Sequence, residues 1–210
     1  MVRAPSFGGV ILAAGESSRM GRDKALLPWP PQGSGRELSG ETFLSGAIRS
    51  LSATDFVVVV VGKNEPELAP IIYAQGASLV VNPDASRGQF SSLQVGLREV
   101  LNRGRDAAVI TLVDRPPVRV TTLPILRTAF ENADQNIWSV VPEYSGKHGH
   151  PYLAGREMME AFLRVPPTST AREVEHEHQA HIQYVVVDDP LIALNINTPG
   201  DYAGLLVRNI

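Results

Sequence analysis

The stretch Phe7-Gly8-Gly9-Val10-Ile11-Leu12-Ala13-Ala14-Gly15 runs from an apolar strand pattern straight into a turn of small residues. It lacks polar alternation, as a strand covered on both faces of a sheet should. Similar runs follow, so strands are predicted over residues 7–13, 56–61, 78–81, 107–113, 137–141 and 182–187. Helical patterns fall between them, over 41–51, 64–75, 92–102, 121–132, 156–163 and 171–178. In the first, Phe43, Leu44, Ala47, Ile48 and Leu51 share one stripe. A last helix starts at Thr198, with Pro199 next and Asp201 three residues on, a capping-box pattern. Strand–helix alternation of this kind predicts a mostly parallel, doubly wound α/β sheet. No repeat, low-complexity segment or linker interrupts it, so residues 1–210 read as a single domain.

Composition narrows the function. Lys and Arg number 19 against 22 Asp and Glu, a formal charge of −3, which gives no reason to expect nucleic acid or an acidic membrane as partner. The absence of Cys removes disulfides, thiolate metal sites and cysteine nucleophiles together. The longest apolar run, Phe56–Val61, is far short of the roughly 20 residues that span a bilayer. Arg3 and the run that follows share the composition of a short signal peptide, but Pro5 and Gly8-Gly9 oppose an inserting helix. The reading is a cytoplasmic protein.

In an open α/β sheet, ligands bind beyond the carboxyl ends of the strands, so the residues there are the ones to inspect. After the first strand, Gly15-Glu16-Ser17-Ser18-Arg19-Met20-Gly21-Arg22-Asp23-Lys24 offers close backbone approach and, in Arg19 and Lys24, positive charge for phosphates. Five residues separate Gly15 from Gly21, and Arg22 stands where a Walker A loop needs lysine, so it is not that loop. An ordinary turn with surface basic residues fits the same spacing. The fourth strand ends at Val113-Asp114-Arg115-Pro116. One carboxylate there, opposite Arg19 and Lys24, is a minimal kit for a Mg2+–triphosphate, although an Asp opening a Pro turn is the plainer reading of that residue alone. Asp188 and Asp189 rank behind it.

Asn82-Pro83 leads to Arg87-Gly88-Gln89-Phe90-Ser91-Ser92, where Ser91 reads as a helix N-cap or as a ribose contact. His150 sits in a turn, Gly149-His150-Pro151. His176, His178 and His181 lack metal-ligand spacing and read as a solvated helix end. Residues 28–40, with three Pro and three Gly, read as a surface loop or a lid.

Together these segments resemble the MobA-like nucleotidyltransferases, above all the molybdenum cofactor cytidylyltransferases. Leu12-Ala13-Ala14-Gly15-x-Ser17-x-Arg19-Met20-Gly21-x-x-Lys24 is similar to their signature loop. Asn82-Pro83 to Ser92, Leu112-Val113-Asp114-x-Pro116, Gly149-His150-Pro151 and Asn195-Ile196-Asn197-Thr198-Pro199-x-Asp201 follow in that family's order. The likeness covers nearly the whole chain. It implies a Rossmann-like fold of the nucleotide-diphospho-sugar transferase (GT-A) type and Mg2+-dependent transfer of a nucleotidyl group, cytidylyl from CTP, to a phosphorylated acceptor such as molybdopterin. Pyrophosphate leaves, and a molybdoenzyme would receive the product.

By position, the resemblance gives Leu12, Ala13, Ala14, Gly15 and Ser17 to nucleotide binding, and Arg19 and Lys24 to triphosphate charge. It gives Asn82, Ser91 and Ser92 to base and ribose, His150 to the bound ligand, and Asp114 with Asn197 to the metal. Two positions depart from the family: Asn195-Ile196-Asn197 stands where relatives usually have Asp-Ile-Asp, and Phe90 replaces a smaller residue. Guanylyl transfer, sugar-phosphate nucleotidyl transfer and a non-catalytic binding protein of the same fold are the alternatives.

Overall fold

The computed structural model describes residues 4–15, 20–31 and 40–206. Its centre is β1 (Phe7–Leu12), buried along its whole length. On one side lie β2 (Phe56–Val61) and β3 (Ser78–Val81), on the other β4 (Ala107–Leu112), all parallel. Beyond β4 comes β7 (Tyr152–Gly155), antiparallel to β4 and also to β5 (Ser139–Tyr144). A short β6 (Lys147–His148) hairpins onto β5, and β8 (Ile182–Val186) runs parallel to β5 as the edge. Among the described residues the sheet has eight strands in the order β3-β2-β1-β4-β7-β5-β6, with β8 on β5.

Alternate side chains of β1 enter two separate cores, which is what a doubly covered strand requires. Phe7 and Ile11 join Leu44, Leu68 and Leu123, from α1 (Phe43–Ser50), α2 (Glu65–Ala74) and α4 (Thr122–Glu131). Val10 and Leu12 join Leu97 and Phe162, from α3 (Gln89–Asn102) and α5 (Arg156–Arg164). Gly96 lets α3 lie against the sheet: a Cβ there would come within 2.5 Å of Val10 Cγ1 and 3.0 Å of Val60 Cγ2. Two short helices complete the chain, α6 (Ala171–Glu177) and α7 (Pro199–Gly204), each with a capping box. For α7 that box is Thr198 with Asp201, as its sequence predicts. No described helix is long and apolar enough to cross a membrane.

The expected doubly wound sheet is present, and the differences are local. Gly149-His150-Pro151 does lie between elements, as its turn chemistry predicts, but it is flanked by β6 and β7, two strands outside the predicted set. β5 begins two residues later than predicted and extends to Tyr144, because its later residues pair with β8 and with β6. α3 begins at Gln89, with Gly88 as its N-cap at φ 94°, so Ser91 lies inside the helix and is not the cap. Pro28 to Pro31 are not free loop. Pro28 bridges to Thr42, and Trp29 and Leu27 pack with Phe43, Leu191 and Ile196 in a third apolar cluster. The lid reading of the remainder concerns residues 32–39, outside the described residues. His181 is not merely solvated: its ring stacks on Trp138, 3.9 Å between centroids.

Candidate active site

The strand order reverses between β1 and β4, since the chain leaves β1 toward β2 and later returns to β4 on the other side. Such a switch point opens a crevice at the carboxyl ends of the strands. Leu12 pairs with Leu112 in register, so the turn after β1 stands beside Val113 and Asp114. The turn is clamped from behind: Ala13 N–H donates to Val60 O (2.8 Å), and Asn64 Nδ2 donates to Ala13 O (2.8 Å). Asn64 Nδ2 also donates to Asp23 Oδ2 (2.6 Å), whose other oxygen accepts from Ala25 N–H (2.9 Å). Asp23 thereby caps the 3-10 turn Lys24–Leu26 and fixes where Lys24 departs from the backbone.

Lys24 reaches inward with a side chain only 11% exposed. Its Nζ donates to Asn197 Oδ1 at 3.0 Å and lies 3.5 Å from Asp114 Oδ2. The segment holding Asn197 is brought in by Ile196 N–H donating to Asp114 O (2.9 Å). It is then fixed by Asp201, whose Oδ2 accepts from Asn197 N–H (2.9 Å) and Thr198 N–H (2.8 Å). Those bonds, that of Asn197 above all, hold the Asp201 carboxyl below its usual range. Asp114 Oδ1 is buried without a hydrogen-bond partner. Burying a carboxylate oxygen unpaired is costly, so this atom is where a cation or donor group is wanted.

A cavity of about 270 Å3 opens here, lined by Ala14, Gly15, Lys24, Ser92 and Asp114, with Leu12 and Gly88 at its boundary. The three residues proposed for base and ribose do not contribute alike. Asn82 Nδ2 donates to both Ser91 Oγ and Ser92 Oγ at 2.9 Å, and all three are buried. Ser92 lines the cavity, while Asn82 and Ser91 do not and form the layer behind it. Ala13 is likewise buried beneath the loop. Arg19 and Ser17 lie outside the described residues.

A second cavity, about 800 Å3, shares Leu12, Gly88, Gln89 and Leu112 with the first. Phe90 forms part of its wall, buried and edge-on to Phe162 at 6.0 Å. Arg115 and His150 also line it. Arg115 Nη1 donates to Ile192 O and Leu194 O, both at 3.3 Å, while its Nε is buried without a partner. Burial lowers its pKa, partly offset by Asp114. His150 is placed by its backbone N–H on Ile192 O (3.0 Å), where Gly149 leaves no room for a Cβ against that carbonyl. Burial, with Arg115 nearby, pushes the imidazole down to about 3, so it is neutral at ordinary pH. Sequence reading missed Asn64, Asp23 and Arg115. The motif Asp114-Arg115-Pro116 carried the only signal for the last of these.

Asp189, the second-ranked carboxylate, belongs to the framework. It is 1% exposed and accepts from Thr122 Oγ1 (2.6 Å), Arg119 N–H (2.8 Å) and Leu191 N–H (3.0 Å). Among the described residues no group of three or more His, Cys, Asp or Glu is placed to hold a metal.

The crevice lies at a Rossmann-like switch point and is lined by the buried Lys24 and by Asp114. Comparison with known proteins supplies the class, a nucleotidyltransferase. Residues 9–182 match the MobA-like NTP transferase domain, and the chain belongs to that family. It is 27% identical over 198 residues to the molybdenum cofactor cytidylyltransferase of Escherichia coli (strain K12), covering 92% of each chain. It is 37% identical over 132 residues to the purine catabolism protein PucB of Bacillus subtilis (strain 168), a match spanning 60% of this chain and 61% of that protein. The crystal structure of Rv0371c from Mycobacterium tuberculosis H37Rv superposes with a TM-score of 0.80 at 25% identity, over 99% of this chain and 100% of that one.

Proposed function

We propose that this chain transfers the cytidylyl group of CTP to the phosphate of a molybdopterin-type acceptor, releasing pyrophosphate. The observation that carries the reading is the meeting of Lys24 and Asp114 at the mouth of the smaller cavity, which shares a wall with a larger one bearing Arg115. An oxygen of the acceptor phosphate forms a bond to the α-phosphorus of CTP. The bond from that phosphorus to the bridging oxygen breaks, and its electron pair leaves with pyrophosphate. The acceptor is already anionic, so no protein base is needed, and the chain's task is positioning and charge neutralisation.

Lys24 meets the triphosphate, with Arg19 extending the charge and Ser17 and the Leu12–Gly15 backbone holding the nucleotide. Ser92 contacts it directly, while Asn82 acts as a positioning residue through its bond to Ser92, and Ser91 through the bond it accepts from Asn82. Arg115 and neutral His150 receive the acceptor phosphate.

Mg2+ fits the donor set. The orphaned Asp114 Oδ1 and the amide oxygen of Asn197 would hold it. When bound, the ion supplies positive charge to the phosphate oxygens. CTP is favoured over GTP because Ala14, in the wall of the smaller cavity, carries a Cβ that crowds a purine lying on the loop. A single domain over residues 1–210, a cytoplasmic setting and a molybdoenzyme recipient complete the proposal.

The test is pyrophosphate release from CTP or GTP with Mg2+ and molybdopterin. Release that requires the acceptor and falls in Lys24→Ala supports the reading. Triphosphate binding without turnover on any acceptor would make this a nucleotide-binding protein of the same fold.

A further inference from the structure

Glu175 of α6 is, among the described residues, the one carboxyl lining the larger cavity. Among the described residues it makes no hydrogen bond and no ion pair within 4 Å, and it caps no helix. Tyr152 from β7 and Tyr184 from β8 stand beside it, and its charge helps to raise both phenols. Arg172, three residues back on the same helix, gives it partial relief, yet burial still raises the carboxyl to about 7. No hydrogen bond among the described residues uses this group, and a desolvated carboxyl in a cavity wall is costly to keep. Around it the walls are flat and aromatic: Phe90, Tyr152 and Tyr184 line the same space, and His148 stacks on Tyr184 at 3.8 Å.

A carboxylate accepts two parallel N–H bonds when the donors lie side by side on one edge. In a flat ligand that edge is a ring N–H next to an exocyclic amine, as in a 2-amino-4-oxo-pyrimidine. The cavity also carries Arg115 for an anionic group, so its occupant joins a flat donor edge to a phosphate. We propose that Glu175 is the specificity-determining residue of this cavity and accepts the paired N–H donors of a 2-amino-4-oxo heterocycle, the pterin ring of the acceptor. Guanine presents the same edge, but the nucleotide belongs to the cavity beside Lys24. The assignment of this cavity to the acceptor rests on the nucleotidyl-transfer reading, whereas recognition of the edge does not.

The test uses the full chain and two fluorescent rings without phosphate: pterin, which has the amine, and lumazine, which has an oxo group in its place. Wild type should bind pterin about tenfold to a hundredfold more tightly than lumazine, the worth of hydrogen bonds to a charged acceptor. Glu175→Gln should cut that preference to about twofold by weakening pterin alone, and Glu175→Asp should retain part of it. An unchanged pterin-to-lumazine ratio in Glu175→Gln overturns the proposal. So does a Glu175→Gln effect confined to GTP, which would place a guanine of the nucleotide at this edge. CTP binding, measured in parallel, separates the two readings. If CTP fails to bind while the pterin preference follows Glu175, nucleotidyl transfer falls and this inference stands; if CTP binds and pterin does not, this inference falls alone.

Discussion

The ammonium of Lys24 donates to the amide oxygen of Asn197 at 3.0 Å, joining the loop after the first strand to a segment 173 residues later. Asp114 lies 3.5 Å from the same nitrogen, so a cation, a carboxylate and an amide share one corner. Lys24→Ala should weaken triphosphate binding about tenfold to a hundredfold, as expected for a lost contact between charged groups, with a much smaller effect on the nucleoside. Calorimetric titration of CTP and cytidine checks it. Equal losses for both ligands would move Lys24 away from the phosphates.

Asn197 offers a metal ion an amide dipole and no full charge. Asn197→Asp should therefore lower the Mg2+ concentration needed for half-maximal turnover. Asn195→Asp should do little, because Asn195 is exposed, Ile196 between them is buried, and only Asn197 faces Lys24. Titrating Mg2+ against both variants decides it; an effect of Asn195→Asp alone would mean that the wrong side chain has been assigned.

The two aspartates separate by what they hold. Asp189→Ala strands three donors and should destabilise the fold by about 2–4 kcal/mol while leaving CTP affinity unchanged. Asp114→Ala should do the reverse, abolishing Mg2+-dependent CTP binding with little loss of stability, since one of its oxygens has no partner to lose. Urea unfolding beside CTP titration distinguishes the pair.

His150 gives a pH signature. Folded, its pKa is about 3 against an ordinary 6.5, so below pH 6.5 the unfolded chain takes up a proton that the native chain does not. Stability then rises with pH across that window: the contribution is complete above 6.5 and is lost progressively as pH falls toward 3, by at most about 1.4 kcal/mol per unit. His150→Asn should remove this component. Urea unfolding at pH 7, 6 and 5 should show the gap between the two proteins narrowing or reversing as pH falls, and parallel slopes would contradict the buried neutral imidazole.

Strand and helix periodicity made the parallel half of the sheet legible, because β1, β2 and β4 are largely apolar runs without polar alternation, which suits strands covered on both faces. β7 was hidden. Its four residues, Tyr152–Gly155, follow Gly149-His150-Pro151 so closely that turn chemistry masked the strand, and its place between β4 and β5 is set by distant partners. The site divides in the same way. Lys24 and Asp114 stand just after predicted strands, where a ligand is expected, whereas Asn197 could be named only through the family resemblance. Asn64 and Asp23 act through contacts made only when the sheet closes, Glu175 joins a cavity wall only in the folded chain, and a polar residue on a helix or turn gives no sign of either. Gly88 misled in a simpler way, since its positive φ starts α3 earlier than the serines suggested.

The most direct measurement follows CTP labelled at the α-phosphate, with Mg2+ and molybdopterin, in the native chain, Lys24→Ala and Asp114→Ala. The account predicts that label moves from CTP to the pterin acceptor with one pyrophosphate released per transfer, and that both variants lose this transfer while remaining folded. Label left on CTP with every acceptor in the native chain, or transfer undiminished in both variants, would contradict it.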